Sequence, residues 1–258
     1  MNEPELGGLS PTSSADAVIA VLRALGSEEN RQGMLRYGIR IDRALGISHG
    51  IQRRIASRIR RNHERALSLW ASGITEARFI ASLTADPARV SPDLARGWAA
   101  EFDSWDIVDG VSDLFVDTAH WRELIGDFAA DEREFVRRTA FAMMAWSLVH
   151  RKKEPDATFL DFLTLIEDHA TDPRNFVKKA VSWALRSTGK RSRALNVAAL
   201  EVAYRLSASD DRTSRWIGRE SVRDLTGQKT LDRLEKVEAR ARQPKQDSLR
   251  TSNRGARS

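Results

Sequence analysis

The chain contains no cysteine. That excludes disulfide bonds, a thiol nucleophile, cysteine-ligated zinc and cysteine-held iron–sulfur clusters. Histidine is sparse: His49, His63, His120, His150 and His169 are too scattered to form a metal set, and no His-x-Glu or HExxH run occurs. There is no phosphate-cradling glycine motif, which removes the common nucleotide-hydrolysing sites. The longest apolar run, Thr139 to Val149, is far too short to cross a bilayer. The opening MNEPELGGLSPTSSAD lacks a basic n-region and an apolar h-region, so no secretory leader is expected. No stretch shows the alternation of a half-buried strand. The expectation is a soluble cytoplasmic protein, monomeric, with no metal, no cofactor and no membrane partner.

What is present is helical periodicity and positive charge. Hydrophobic residues make up 41% of the 258, enough for a core, and the formal charge of +6 favours an anionic partner. The seven prolines fall almost wholly between apolar-periodic segments. Those segments predict helices over residues 15–25, 28–37, 49–63, 64–71, 75–83, 92–102, 105–116, 121–129, 131–150, 157–170, 172–190, 191–206, 212–226 and 230–242. Residues 1–13 read as a flexible N-terminal segment, 14–242 as a single helical-repeat domain, and 243–258 as a basic, disordered tail. The expected fold class is all-α, a right-handed superhelical stack of helix pairs presenting a concave face.

Three stretches stand out. In Asp172–Lys190, Asp172 is a candidate N-cap, Pro173 suits the first turn, and Phe176, Val177, Ala180, Val181 and Ala184 form an apolar face. A second stripe, Lys179, Trp183, Arg186 and Lys190, lines one side at i, i+4, i+7, i+11. It is either a surface for an anion with flat parts, nucleic acid being the commonest, or a half-buried indole edged by snorkelling cations. The same helix has an echo 41 residues upstream, where Asp131–Ala140 overlays Asp172–Val181 with Asp, Arg, Phe, Val and two basic residues in register. A period near 40 is the size of a HEAT or armadillo-type unit. In Ser104–Gly110, Ser104 is a candidate cap and Trp105 and Asp109 fall one turn apart on one face. A carboxylate beside an indole can stabilise a developing cation; equally, Asp109 can be an ordinary first-turn acid beside a core tryptophan. Finally, Arg54, Arg58, Arg61 and Arg65 form a cationic line on the helix whose apolar line is Ile51, Ile55 and Ile59. It reads either as a solvated face or as a phosphate contact. Trp70, Trp98, Trp121, Trp146 and Trp216 read as fillers of inter-helix gaps.

Taken together, Trp105-x-x-x-Asp109, Arg138 in Arg-Arg-Thr-Ala, and Phe176-Val-Lys-Lys-Ala-Val-Ser-Trp183-Ala-Leu-Arg186 resemble the AlkD-type DNA alkylation repair glycosylases. The likeness spans about residues 29–206. It implies HEAT-like repeats whose concave face binds duplex DNA. The implied activity is hydrolysis of the N-glycosidic bond of cationic N3- or N7-alkylpurines without base flipping, in a nucleoid-associated enzyme of base excision repair. Carried onto this chain, it implies that Asp109 stabilises the sugar cation and positions water, that Trp105 and Trp183 pack on the deoxyribose, and that Arg138 holds the neighbouring phosphate. Arg186, Lys179, Lys190, Tyr37, Arg54, Arg58 and Arg61 become further DNA contacts. An alkylated purine already carries positive charge and needs no general acid, so a lone carboxylate and a cation–π wall address the barrier directly. The sequence departs from the family in the acids Asp106, Asp113 and Asp117 near Trp105, and in Trp146, where the family often has a basic residue. Two other readings remain open: a non-catalytic binder of damaged or branched DNA, and a protein-interaction solenoid.

Overall fold

The computed structural model describes Leu6 and residues 8–242. Its helices are α1 (Ala15–Ala24), α2 (Glu28–Met34), α3 (His49–Ile59), α4 (His63–Ala71), α5 (Thr75–Thr84), α6 (Pro92–Ala100), α7 (Trp105–Asp117), α8 (Trp121–Ala130), α9 (Glu134–His150), α10 (Asp161–Asp168), α11 (Asn175–Gly189), α12 (Arg193–Ser207), α13 (Arg212–Leu225) and α14 (Gln228–Arg242). Single 3₁₀ turns occupy Leu35–Tyr37, Pro87–Arg89 and Asp156–Phe159. Among the described residues there is no strand, and no helix is long and apolar enough to cross a membrane. The described residues fall into two compact units. One holds those up to His150 together with Arg174–Ala180; the other holds Arg151–Pro173 and those from Val181 to Arg242. The expected disordered tail, 243–258, lies outside the described residues.

In the first unit α4 packs on α5, α5 on α3 and α7, and α9 on both α7 and α8. The core is built on aromatics. Phe102, Phe115 and Phe128 run ring to ring at 6.4 and 5.9 Å, and Trp70 stacks on Trp98 at 4.0 Å with nearly parallel planes. Each such fully buried ring stabilises the fold by roughly 1.5–3 kcal/mol. Trp70 also donates its Nε1–H to Glu101, which is paired with the Arg78 guanidinium lying over the Trp70 ring. In the second unit α12 packs on α13 and α10, and α13 on α14.

Two expectations about the N-terminal third are corrected. Residues 9–13 are not a loose segment: Leu9 is buried, Arg58 Nε donates to the Leu9 carbonyl at 2.6 Å, and Arg65 Nη1 donates to the carbonyls of Pro11 and Ser13 at 3.0 and 3.1 Å. The cationic line therefore breaks up. Arg65 is a buried clamp and Arg58 a tether, while Arg54 and Arg61 stay exposed. The predicted helix over 49–63 also stops early. Arg60 turns left-handed at φ 59°, and Asn62 then caps α4 by accepting from Arg65 N. Arg65 Nη2 binds the carbonyls of Ile59 and Arg60, both at 2.7 Å, and so holds that turn.

The segment between α2 and α3 is pinned from beneath. Glu76 is buried on α5, and its carboxylate accepts the backbone N–H groups of Leu45, Gly46 and Ile47 at 2.8–3.2 Å. Gly46 is required there. It sits at φ 77°, and a Cβ would lie 2.2 Å from the Ser27 carbonyl oxygen.

The 41-residue echo is real at the level of helix starts: α9 begins at Glu134 and α11 at Asn175. Within the first unit the two starts touch, with Phe135 and Phe176 rings 5.6 Å apart and Phe176 N donating to Glu134 Oε1 at 3.3 Å. Asp172 and Pro173 were expected to start α11; they precede it instead, and Asp172 is buried in the preceding turn.

Candidate active site

The site grows from the first turn of α7. Ser104 stands at the N-cap position, but its hydroxyl donates to the Asp106 carboxylate rather than capping the backbone. Asp106 and Ile107 are buried, which turns Trp105 and Asp109 outward, each half-buried. Trp105 Nε1 donates to the Tyr37 carbonyl at 2.9 Å and so ties α7 to the 3₁₀ turn that carries exposed Tyr37. Next to Asp109, Gly110 lets α5 come close: a Cβ there would lie 2.5 Å from two atoms of the buried Phe79 ring.

Asp109 is held from two sides by α9. Arg138 grips the carboxylate side-on, its Nε 3.1 Å from Oδ1 and its Nη2 2.8 and 2.9 Å from the two oxygens. Arg138 Nη1 donates to the Phe176 carbonyl at 2.7 Å, and its guanidinium lies 6.0 Å from the Trp105 ring centre. Trp146, one helical stretch further on, donates its Nε1–H to the backbone carbonyl of Asp109 at 2.9 Å. The Asp109 side chain is 23% exposed, against 7% for Arg138. Burial raises the Asp109 carboxyl above the ordinary carboxylate range, and the Arg138 charge and hydrogen bonds only partly oppose this. Asp109 is thus fixed in place, open on one side, and more basic than a surface aspartate.

That open side faces a cavity of about 580 Å³ lined by Arg36, Tyr37, Trp105, Asp109, Phe176 and Lys179, with Arg138 in its floor. One carboxylate among three cationic side chains suits a ligand that is anionic at its edges and cationic at one atom. Of the residues expected to act together, the first unit gathers Tyr37, Trp105, Asp109, Arg138 and Lys179. Arg138, for which a phosphate was the expected partner, is buried, with its donors engaged by Asp109 and Phe176. Trp183, Arg186 and Lys190 belong to the second unit. There Trp183 is half-buried, and Arg186 and Lys190 share one carboxylate, Asp224. That partner was not foreseen, and it leaves this face a net charge of one rather than two. Arg54 and Arg61 are exposed on the α3 side of the first unit and do not line the cavity.

Of the three acids near Trp105, Asp106 is buried, Asp113 pairs with His150 at 2.7 Å, and Asp117 is exposed. Sequence reasoning missed Arg36 and Phe176 as cavity walls and gave Trp146 only a gap-filling part. Phe176 carried a signal, since it was one of the positions repeated in the echo. Trp216 does not fill a gap: it is 37% exposed.

A family model described as "DNA alkylation repair enzyme" matches residues 18–225. Among solved structures, the chain is similar to one described as "a new family of proteins related to the HEAT-like repeat DNA glycosylases with affinity for branched DNA structures". That match has a TM-score of 0.69 and 21% identity, and covers 81% of this chain and 94% of the other. At that identity the likeness establishes the fold: an all-helical HEAT-like repeat architecture. No curated protein matches the sequence.

Proposed function

Since the chain belongs to the DNA alkylation repair enzyme family, we propose that it is a DNA glycosylase acting on cationic N3- or N7-alkylpurines in duplex DNA, with Asp109 as its catalytic carboxylate. The observation that carries this reading is the clamped carboxylate open to a cation-rimmed cavity beside an indole. The C1′–N bond of an alkylpurine cation breaks with its electron pair returning to the base, which leaves neutral. The sugar is left as an oxocarbenium-like cation. The Asp109 carboxylate offsets that charge, and the face of Trp105 supplies an apolar, electron-rich wall. Water adds to C1′ and loses a proton, for which a carboxylate of raised basicity is a suitable acceptor. Arg138 and Trp146 act as positioning residues by fixing the side chain and backbone of Asp109. Lys179 and Arg36 are placed to meet flanking phosphates. Trp183, Arg186 and Lys190 extend the DNA contact in this proposal.

A second reading has its own support. The similar solved structure is described as having affinity for branched DNA, and the Asp109–Arg138 ion pair is one a purely structural role would also use. A base-release assay on duplex DNA carrying 7-methylguanine separates the two. Glycosylase action predicts free base from the wild type and its loss in Asp109→Asn. Tight binding of branched or alkylated DNA with no base released from any alkylated substrate establishes the binder instead.

A further inference from the structure

One basic stripe has no part in the site described above. It lies on α13, in the second unit. Asp211 caps this helix, its carboxylate accepting Ser214 N–H at 2.7 Å. The helix buries Ser214, Ile217, Gly218, Ser221 and Leu225. Gly218 seats it hard on the end of α12, where a Cβ would lie 2.2 Å from Ser207 N and 2.7 Å from the Ala203 carbonyl oxygen. The opposite face follows from the helical period: Arg212, Arg215, Trp216, Arg219 and Arg223 fall at i, i+3, i+4, i+7 and i+11. Arg212, Arg219 and Arg223 are exposed, and Trp216 is the most exposed of the seven tryptophans. Arg215 is half-buried, its Nη1 donating to the carbonyls of Ser209 and Asp210 at 2.9 Å.

The charge on this face is not balanced as it is on other faces. Arg96 meets Asp93, Glu123 and Asp127, and Arg205 meets Glu167. On α13 Arg223 meets Glu220 at 2.6 Å, but among the described residues Arg212 and Arg219 form no ion pair. Four arginines against one acid leave three positive charges, whereas Arg186 and Lys190 against Asp224 leave one. We infer that the outer face of α13 binds the sugar–phosphate backbone of DNA, with Arg212 and Arg219 on phosphates and the Trp216 indole packed on a deoxyribose between them. Helix rise sets the two arginines about 10 Å apart along the axis, roughly the rise of three base pairs. The choice of DNA over another polyanion rests on the proposed function; the unbalanced arginine stripe does not. Such a contact reads no sequence and adds grip on DNA with or without a lesion.

The test measures binding of an undamaged duplex by fluorescence anisotropy over a range of salt. The double variant Arg212→Gln, Arg219→Gln is compared with Lys152→Gln, Lys153→Gln, which removes two exposed lysines from the same unit. The α13 variant is expected to bind roughly tenfold more weakly and to flatten the plot of log K against log salt by up to about 2. The lysine variant is expected to bind as the wild type does. Arg212→Lys with Arg219→Lys is expected to restore the slope, since a phosphate accepts either cation. Trp216→Ala is expected to weaken binding with the slope unchanged, because it removes no charge. Wild-type affinity and slope in the α13 variant would overturn the assignment. So would equal losses in the two double variants, which would mean that net charge alone acts. Loss of polyglutamate binding with DNA binding intact would assign the face to an acidic protein instead. Base release plays no part in the readout, so an inactive wild type leaves this contact standing, and normal binding by the α13 variant leaves the glycosylase reading standing.

Discussion

At the scale of single residues, Asp109 must keep its charge while partly withdrawn from water. Burial pushes its pKa up and Arg138 pulls it down, with burial the larger effect. For an acid whose pKa is raised on folding, the linked stability is present below the unfolded-state value of about 3.9 and is lost as pH rises through the folded value. Ionised Asp109 is thus a native-state liability near neutral pH, as a reactive carboxylate is expected to be. The ascending limb of base release against pH is accordingly predicted to lie above pH ~4. Arg138→Lys keeps a cation but not the side-on fork, so the limb is expected to move to higher pH, and a kcat–pH profile reads it. Arg138→Met leaves the carboxylate without its partner and is expected to cost roughly 3–5 kcal/mol in a denaturant melt. None of this pairing could be read from sequence. Trp105 and Asp109 were visible because one helical turn joins them, whereas Arg138 reaches Asp109 across 29 residues and Trp146 across 37. The resemblance named Arg138 but not its bond to Asp109, because spacing along a chain does not say which face of α9 meets α7.

At the scale of elements, the helices were legible from apolar periodicity but their caps were not, since the candidate cap Ser104 donates to Asp106 instead. Ser14, Ser91, Ser192 and Asp211 all cap as their residue types favour, each accepting a backbone N–H of the first turn. The break after Ile59 had no such marker, because the left-handed residue there is Arg60 and not glycine. Its strain is held by the Arg65 clamp on the Ile59 and Arg60 carbonyls. Arg60→Gly is therefore predicted to stabilise the protein by about 1 kcal/mol, seen as a higher melting temperature. Gly110→Ala tests the approach of α5 to α7. The new methyl meets the buried Phe79 ring, so a loss of about 1–3 kcal/mol is expected.

At the scale of the molecule, the charge of +6 marks an anionic partner but overstates the cations available to one. Arg65 clamps a turn, Arg138 is buried under Asp109, and Arg186 and Lys190 share Asp224. Counting basic residues in sequence could not reveal these partners. Asp224→Asn releases two cations in the second unit. It is expected to tighten DNA binding and to steepen the plot of log K against log salt by up to about 1. An unchanged slope would remove Arg186 and Lys190 from the DNA contact.

The central claim, that an ionised Asp109 drives cleavage of the glycosidic bond, is tested most directly by single-turnover release of 7-methylguanine from duplex DNA. Wild type and Asp109→Asn are compared at protein concentrations that saturate binding. The wild type is expected to release the base and the variant to lose roughly 10²–10³-fold in rate, with DNA affinity little changed. Equal rates in the two proteins, or no release by the wild type on DNA it binds tightly, would contradict it.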